Sequence, residues 1–361
     1  MRKKVLSLFM VLLMVVSMSA CGNSEESSAK VSDNPSGAAS TSDTSGGLIK
    51  VGFSQVGAES DWRTANTQSM QSTFTKENGY ELIFSDAQQD QANQITAIRN
   101  FIQQEVDYIV LAPVTETGWE TVLQEAKAAG IPVIIVDRMV KVSDDSLYTA
   151  WVGSNFKQEG VDAATWLANY LKDKGRDSEE INIVTLQGTI GSSAQIGRTE
   201  GFGEEAAKNS NWKILAQQTG EFTQAKGQEV MESFLKSYSD IDVVVCENDN
   251  MAFGAIDAIE AAGKTVGPDG DILVMSFDTT KAGITDTQSG KIILNTECNP
   301  LHGPRVEEII KTLESGGTPE KKAYVEEGVF AHGDEVPSVT VDDQKYDVTK
   351  VTKEVVAGRA Y

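Results

Sequence analysis

The sequence predicts an α/β protein of two consecutive lobes, each a parallel sheet covered on both faces by helices. Three observations predict it. From Ile49 onward, short Val- and Ile-rich runs alternate with amphipathic segments of helical period, and a repeating strand–helix pattern means a parallel sheet buried on both sides. The pattern pauses at SLYTAWVGSN, residues 146–155, and then starts again. Together the two stretches supply about ten strand candidates, many for one twisted open sheet, and 361 residues leave room for two domains.

In the first stretch, IKVGFSQ, YELIFSDA, DYIVLAPV and PVIIVD have the length and composition of strands. Between them, Ile95, Ile98 and Ile102 fall at helical spacing in QANQITAIRNFIQQE. Trp119, Val122, Leu123 and Ala126 form one face of GWETVLQEAKAAGIP, which makes Trp119 a buried helix residue, and Gly130 and Pro132 stop that helix. In the second stretch the strand candidates are INIVTLQG, WKILAQQTG, DVVVCEND, DILVMSFD and KIILNTEC. Helices are expected near 155–173, 194–208, 224–237, 250–262 and 279–289, and a last one in PRVEEIIKTLESGG.

The N-terminus predicts export. MRKK is a positive n-region, and VLSLFMVLLMVV is an apolar run too short to span a bilayer. SMSAC then resembles a bacterial lipobox, with Met18 where that pattern prefers Leu. This gives a signal peptide over residues 1–20 and a lipidated Cys21, held firmly where several acyl chains are attached. Residues 21–47 are rich in Ser, Gly, Ala and Asp and read as a flexible tether. The folded body therefore starts near Leu48.

Composition excludes several classes. With 53 Asp and Glu against 31 Lys and Arg, the net charge is −22, which argues against a nucleic-acid partner. Only Cys246 and Cys298 remain after Cys21, too few for a disulfide framework. They read as buried thiols, although an even pair in an exported protein leaves a disulfide open. The two histidines, His302 and His332, come late. His302 at a helix start reads as a capping or surface residue, and neither a His-dependent triad nor a multi-His metal site is expected. No phosphate-cradling GxxxxGK[ST] occurs and no GxGxxG follows the first strand. No metal and no cofactor is expected.

Polar residues recur where the strands end: Asp86, Asp137 with Arg138, Gln187, Asn248 with Asp249, Asp278 and Glu297. Open parallel sheets bind ligands outside the carboxyl ends of their strands. Two such lobes face to face make a cleft lined by these groups. A local salt bridge or helix cap is the alternative for Asp137 and Arg138 taken alone. Carboxylates accept, Arg donates in a fixed plane and Asn does both; the set suits a polyol.

The motifs IPVIIVDR, LQGTIGSSAQIGRTEGF, GEFTQAKGQEVMESF, CENDNMAFGAIDAI and VMSFDTT stand here in the order and spacing of a known family. From about Ile49 to Gly316 the chain resembles the periplasmic sugar-binding proteins of ABC importers, the ribose- and galactose-binding cluster. FSQVGAESDWRTANTQSM and APVTETGWETVL resemble its galactofuranose-binding member more than the ribose-binding one. The resemblance implies the two-lobed periplasmic binding protein type I fold, with ligand in the hinge cleft. It implies a first lobe of 48–153 plus 298–328 and a second of 154–297 plus part of 329–361. The chain would pass between them near Val152–Asn155, near Thr296–Pro300 and after about Gly328, and the tail after Ala323 would add a returning strand and a short helix.

By the same resemblance, Asp137 and Arg138 bind sugar hydroxyls from the first lobe. Arg198, Asn248 and Asp278 do so from the second, and Phe222 stacks on the ring. Glu297 stands where the galactofuranose binder also has Glu. Glu59, Trp62 and Arg63, in the loop leaving the first strand, are further ligand-binding candidates, with a core or helix-packing role the alternative for Trp62. Gln224 replaces an Arg of the galactofuranose binder, which puts specificity in question. The implied function is a monomeric, lipid-anchored, non-enzymatic receptor handing a neutral monosaccharide, galactofuranose first, to an ABC permease. Two alternatives stay open: a sensing component for a membrane kinase or chemoreceptor, and a furanoside hydrolase using Asp137 with Asp278 or Glu297, which needs carboxylates about 5–10 Å apart.

Overall fold

The computed structural model describes residues 47–361. The expected signal peptide, Cys21 and the tether up to residue 46 lie outside the described residues. Among those described, no helix is long and apolar enough to cross a membrane.

The first lobe is built from β1 (Ile49–Gln55), α1 (Asp61–Thr73), β2 (Tyr80–Asp86), α2 (Gln91–Gln103), β3 (Tyr108–Leu111), α3 (Glu120–Ala128), β4 (Val133–Val136) and β5 (Ala150–Gly153). The chain then enters the second with α4 (Phe156–Asp173), β6 (Ile181–Gln187), α5 (Ser193–Ala206), β7 (Trp212–Thr219), α6 (Gln224–Ser237), β8 (Val243–Cys246), α7 (Asp249–Ala261), β9 (Leu273–Asp278), α8 (Lys281–Ser289) and β10 (Leu294–Glu297). It returns with α9 (Gly303–Glu314), which packs on α1, and β11 (Lys322–Tyr324). It then crosses again to β12 (Val329–Ala331), β13 (Ser338–Val341), β14 (Gln344–Lys350) and α10 (Lys353–Gly358).

The strand order is β11-β5-β4-β3-β1-β2 in one sheet and β13-β14-β12-β10-β9-β8-β6-β7 in the other. All pairings in the first sheet are parallel. The second is parallel from β10 through β7, and β12 pairs antiparallel to β10. The central strands VIIV and VVVC are buried at every position, as helices on both faces require. Each sheet accordingly separates two apolar clusters, one led by Phe53 and Val110 opposite one led by Trp119 and Leu123, and in the second lobe one led by Met251 and Val244 opposite one led by Trp166 and Phe277. Trp119 is fully buried.

The three crossings run side by side at 154–155, 298–302 and 325–328. The tail does more than the strand and helix expected of it. β12 crosses back, but β13 and β14 form an antiparallel hairpin that widens the second sheet, and α10 packs on α8.

The fold aims helix N-termini at the space between the lobes. α1, α5 and α7 each begin just after a strand, with Ser60, Ser192 and Asn248 accepting from the backbone N–H three residues on. Such caps satisfy N–H groups that the helix itself cannot.

Candidate functional site

Six charged side chains converge between the lobes. Glu59 and Arg63 come from the start of α1, Asp137 and Arg138 from the end of β4, Arg198 from α5 and Asp278 from the end of β9. All six side chains are at most 7 % exposed. With Trp62, Phe156, Phe222 and Asn248 they line one cavity of about 20 Å³, room for little more than a water. The lobes are drawn together until the side chains nearly fill the cleft.

The first-lobe wall is a four-membered charge cluster. Arg63 Nη2 donates to Asp137 Oδ2 at 2.7 Å, its Nε to Glu59 Oε1 at 3.0 Å and its Nη1 to Gln55 Oε1 at 3.2 Å. Burial opposes charge on Arg63, but Asp137 and Glu59 outweigh it and hold the guanidinium above its ordinary range. The Asp137 carboxyl, which burial alone would raise, is held low by Arg63 and Arg138. Arg138 has weaker support. Its Nη1 donates to Val114 O at 3.1 Å, while Glu59 and Asp137 lie 3.7 and 3.9 Å from its other nitrogens. Burial, together with the like charge of Arg63, brings Arg138 down to about 10. Glu59 Oε2 is buried with no partner among the described residues. The cleft therefore holds uncommitted donors on Arg138 and an uncommitted acceptor on Glu59.

The second-lobe wall centres on Arg198. Its Nε donates to Glu159 Oε2 at 2.7 Å, its Nη2 to Asp278 Oδ1 at 3.0 Å and its Nη1 to Glu247 O. Burial pushes Asp278 up to about 6 and Glu159 up to about 7 against the pull of Arg198. The first wall thus sets two guanidiniums against two carboxyls and the second sets one guanidinium against two, so neither wall carries surplus positive charge. Asn248 spends its Oδ1 on capping α7 at Met251 N and gives one Nδ2 hydrogen to Phe222 O at 3.0 Å. Phe222 sits in the left-handed region at φ 63°, and its ring faces Arg138, whose Cζ lies 5.0 Å from the ring centre. Trp62 is fixed by its Nε1, which donates to Cys298 O at 2.6 Å, and carries the Arg63 guanidinium on its face at 4.6 Å.

Glu297 does not join them. Its Oε2 accepts from Gly328 N at 2.8 Å, and its Oε1 accepts from Tyr361 Oη at 2.6 Å and from Arg359. Side chains alternate along a strand, so at the end of β10 the cleft side belongs to Cys298, which lines the cavity, while Glu297 faces the tail. His302 also departs from expectation. It is fully buried, makes no capping bond and packs edge-on to Trp62, with Nδ1 3.1 Å from Asn66 Nδ2. Cys246 and Cys298 are both free and buried. Trp119 and Gln224 lie outside the cavity.

Glu159, Phe156 and Cys298 were missed by sequence reasoning. A signal for the first two exists. Gly197 and Gly201 stand mid-helix in α5 opposite Gly160 in α4, where glycine costs about 1 kcal/mol relative to alanine. A Cβ on Gly201 would lie 2.1 Å from Lys157 O, and one on Gly160 2.5 Å from Arg198 O. That close approach of α4 to α5 is what lets Glu159 reach Arg198.

Comparison with known proteins gives a consistent neighbourhood. Residues 51–294 match the periplasmic binding protein domain. The chain is 42 % identical over 277 residues to the galactofuranose-binding protein of Escherichia coli, covering 76 % of this chain and 85 % of that one. Among solved structures, a Mycobacterium smegmatis protein in complex with β-D-fucofuranose superposes with TM-score 0.76 at 44 % identity, covering 80 % of this chain and 93 % of the other. The binding protein of an arabinose ABC transporter from Shewanella sp. ANA-3, bound to L-arabinofuranose, gives TM-score 0.74 at 42 % identity, covering 79 % and 93 %.

Proposed function

The chain belongs to the periplasmic binding protein domain family, a family of solute-binding proteins and not of enzymes, and from that premise we propose that it captures a neutral monosaccharide in its furanose form, galactofuranose first, and delivers it to an ABC permease. The observation that carries this reading is the pairing of charges in the cleft. Three arginines and their acids from both lobes offer planar donors and paired acceptors with no surplus positive charge for a phosphate. The relatives named above, which bind galactofuranose, fucofuranose and arabinofuranose, favour a five-membered ring.

In this reading Glu59, Asp137, Arg138, Arg198, Asn248 and Asp278 bind hydroxyls. Trp62 and Phe222 cover the C–H faces of the ring, and Arg63 positions Asp137 and Glu59. The small cavity means that the lobes part to admit a ring and close on it about the three crossings. A ligand favours the closed form only by touching both lobes, and these residues come from both. Glu297 takes no part in ligand contact. Cys21 carries the lipid that holds the receptor at the membrane surface, with residues 22–47 as its tether.

The test is a thermal-shift and calorimetric screen of the mature chain against galactofuranose, fucofuranose, arabinofuranose, their pyranose forms, ribose, amino acids and sugar phosphates. A ligand at 100 times its Kd stabilises by about 2.7 kcal/mol. Stabilisation by furanoses above the rest is expected. Stabilisation only by an amino acid or a phosphate ends the reading. A Cys21→Ala chain recovered in the same amount in the membrane fraction ends the lipid assignment.

A further inference from the structure

Outside the cavity, three hydrogen bonds cross the mouth of the cleft. Asp61 N donates to Asn250 Oδ1 at 3.0 Å, Glu116 N to Gly191 O at 2.9 Å and Met139 N to Ser193 Oγ at 2.8 Å. The three share one design. Every donor is a backbone N–H of the first lobe, in the segments that follow β1, β3 and β4. Every acceptor belongs to the second lobe, at the starts of α5 and α7. None of the six residues lines the cavity. Asn250 is 8 % exposed, so its bond is sheltered from water. The Asp61 N–H is one of the donors that α1 cannot satisfy itself; Asn250 caps that helix from the opposite lobe. Glu116 O also accepts from Lys141 N at 2.6 Å, which ties the β3 and β4 loops into one rim.

We infer that Ser193 and Asn250 are closure latches: they set how tightly the sugar is held by stabilising the closed form, without touching the sugar. This rests on the functional reading only in calling the ligand a sugar. These bonds exist only when the lobes meet. On opening, the three N–H groups pass to water, so each bond shifts the open–closed equilibrium by the net value of a neutral hydrogen bond. The sugar enters the open form and is then enclosed, so weaker closure raises Kd in proportion and does so through faster release. Neither residue caps a helix of its own lobe, since Ser192 and Asn248 do that, so both can be replaced without unfolding their elements. They are positioning residues of the cleft, and their signature lies in the off-rate.

The experiment uses the mature chain and the sugar that binds the wild type most tightly. Ser193→Ala and Asn250→Ala are each expected to raise Kd about two- to tenfold, through faster dissociation with an unchanged association rate in stopped flow. Ser193→Thr and Asn250→Asp keep the acceptor oxygen and are expected to restore the wild-type off-rate. Wild-type Kd and off-rate in both alanine variants would overturn the inference, as would alanine and conservative variants that lose affinity alike. A second arm needs no sugar. Spin labels on Lys76→Cys and Lys236→Cys, one exposed position on each lobe, report the lobe separation of the ligand-free chain. The closed population is expected to fall when Ser193→Ala and Asn250→Ala are combined, and an unchanged distance distribution would overturn the latch. If no sugar binds the wild type, the functional reading falls and this second arm still decides the latch.

Discussion

Asp137 and Asp278 stand in matching positions of the two lobes. Each ends a central strand, β4 or β9, in the left-handed region, at φ 62° and 97°, and each accepts from an arginine on a helix of its own lobe, Arg63 at 2.7 Å and Arg198 at 3.0 Å. Positive φ is uncommon outside glycine, and Asp is among the residues that tolerate it. The turn lifts the carboxylate off the strand axis and into the cleft, where the arginine fixes its plane. An apolar strand ending in opposite charges is thus one half of a two-walled cage, and the second lobe repeats the device.

Arg138 is the donor that the protein itself uses least. Its ion-pair partners lie at 3.7 and 3.9 Å and its charge is disfavoured by burial beside Arg63. Arg138→Ala is therefore expected to leave the ligand-free protein folded, with an unchanged circular dichroism spectrum. It is expected to weaken sugar binding by about 2–5 kcal/mol, the cost of stripping one partner from a buried charged contact. Calorimetry showing wild-type affinity would make Arg138 a purely structural ion.

Gly188 supports Phe222 by having no side chain. A Cβ there would sit 1.9 Å from the Phe222 ring, closer than any side chain tolerates. Gly188→Ala is expected to push the ring out of the cleft and raise Kd about tenfold, comparable to Phe222→Ala. In the double variant the two losses should not add, because both act through the same ring. Additive losses would show that Gly188 matters for another reason.

Much of this was legible locally. The helices expected near 155–173 and 224–237 appear as α4 and α6 within a residue, because apolar spacing and cap residues are read from neighbours in sequence. Strand-end charges were legible for the same reason. What failed needed contacts distant in sequence. Glu297 points to a tail more than sixty residues away, and nothing local to KIILNTEC says which face of β10 the tail will cover. His302 looked polar and terminal, but Trp62 and Asn66, some 240 residues earlier, bury it. The β13–β14 hairpin carried a usable signal. Its two-residue turn, Asp342–Asp343, has φ of 48° and 64°, as type I′ turns require, and alternating residues flank it in SVTVDDQKYDVTK.

Glu297→Gln separates a ligand role from a structural one. The carboxylate holds Gly328 N, Tyr361 and Arg359 where the second and third crossings meet the tail. Sugar affinity is expected to stay within about twofold of wild type, while stability falls by about 1 kcal/mol, the cost of losing an acceptor among half-buried partners. A large loss of affinity at unchanged melting temperature would return Glu297 to the binding site.

Stability should fall as the pH rises from 6 to 8. Burial pushes Glu247 up to about 8, Glu159 and Asp249 up to about 7, and Asp278 and Asp162 up to about 6; it raises Glu327 as well. The unfolded chain releases these protons near pH 4, so between about pH 4 and 8 the native state binds more protons than the unfolded one. Linkage then makes stability decline with pH across that window. His302 works the other way. Burial lowers it to about 4, so the unfolded chain takes up a proton that the native ring refuses, and stability gains as pH rises from about 4 to 6.5. It offsets part of the carboxyl effect in the lower half of the window and none above it. Asp137, held low by its arginines once burial is overcome, contributes only below about pH 4. The decline should therefore be steepest between about pH 5 and 6.5, where the native state still holds most of these protons and the unfolded chain almost none, and should continue more gently to pH 8 as Glu247 titrates. Its oxygens accept from Gly188 N at 2.7 Å and Thr199 Oγ1 at 2.5 Å, bonds that favour the ionised form but do not offset its burial. Melting temperatures at constant ionic strength should drop over that range, and Glu247→Gln should flatten the drop. A melting temperature that holds or rises between pH 6.5 and 8 would show that these acids are ionised in the native protein.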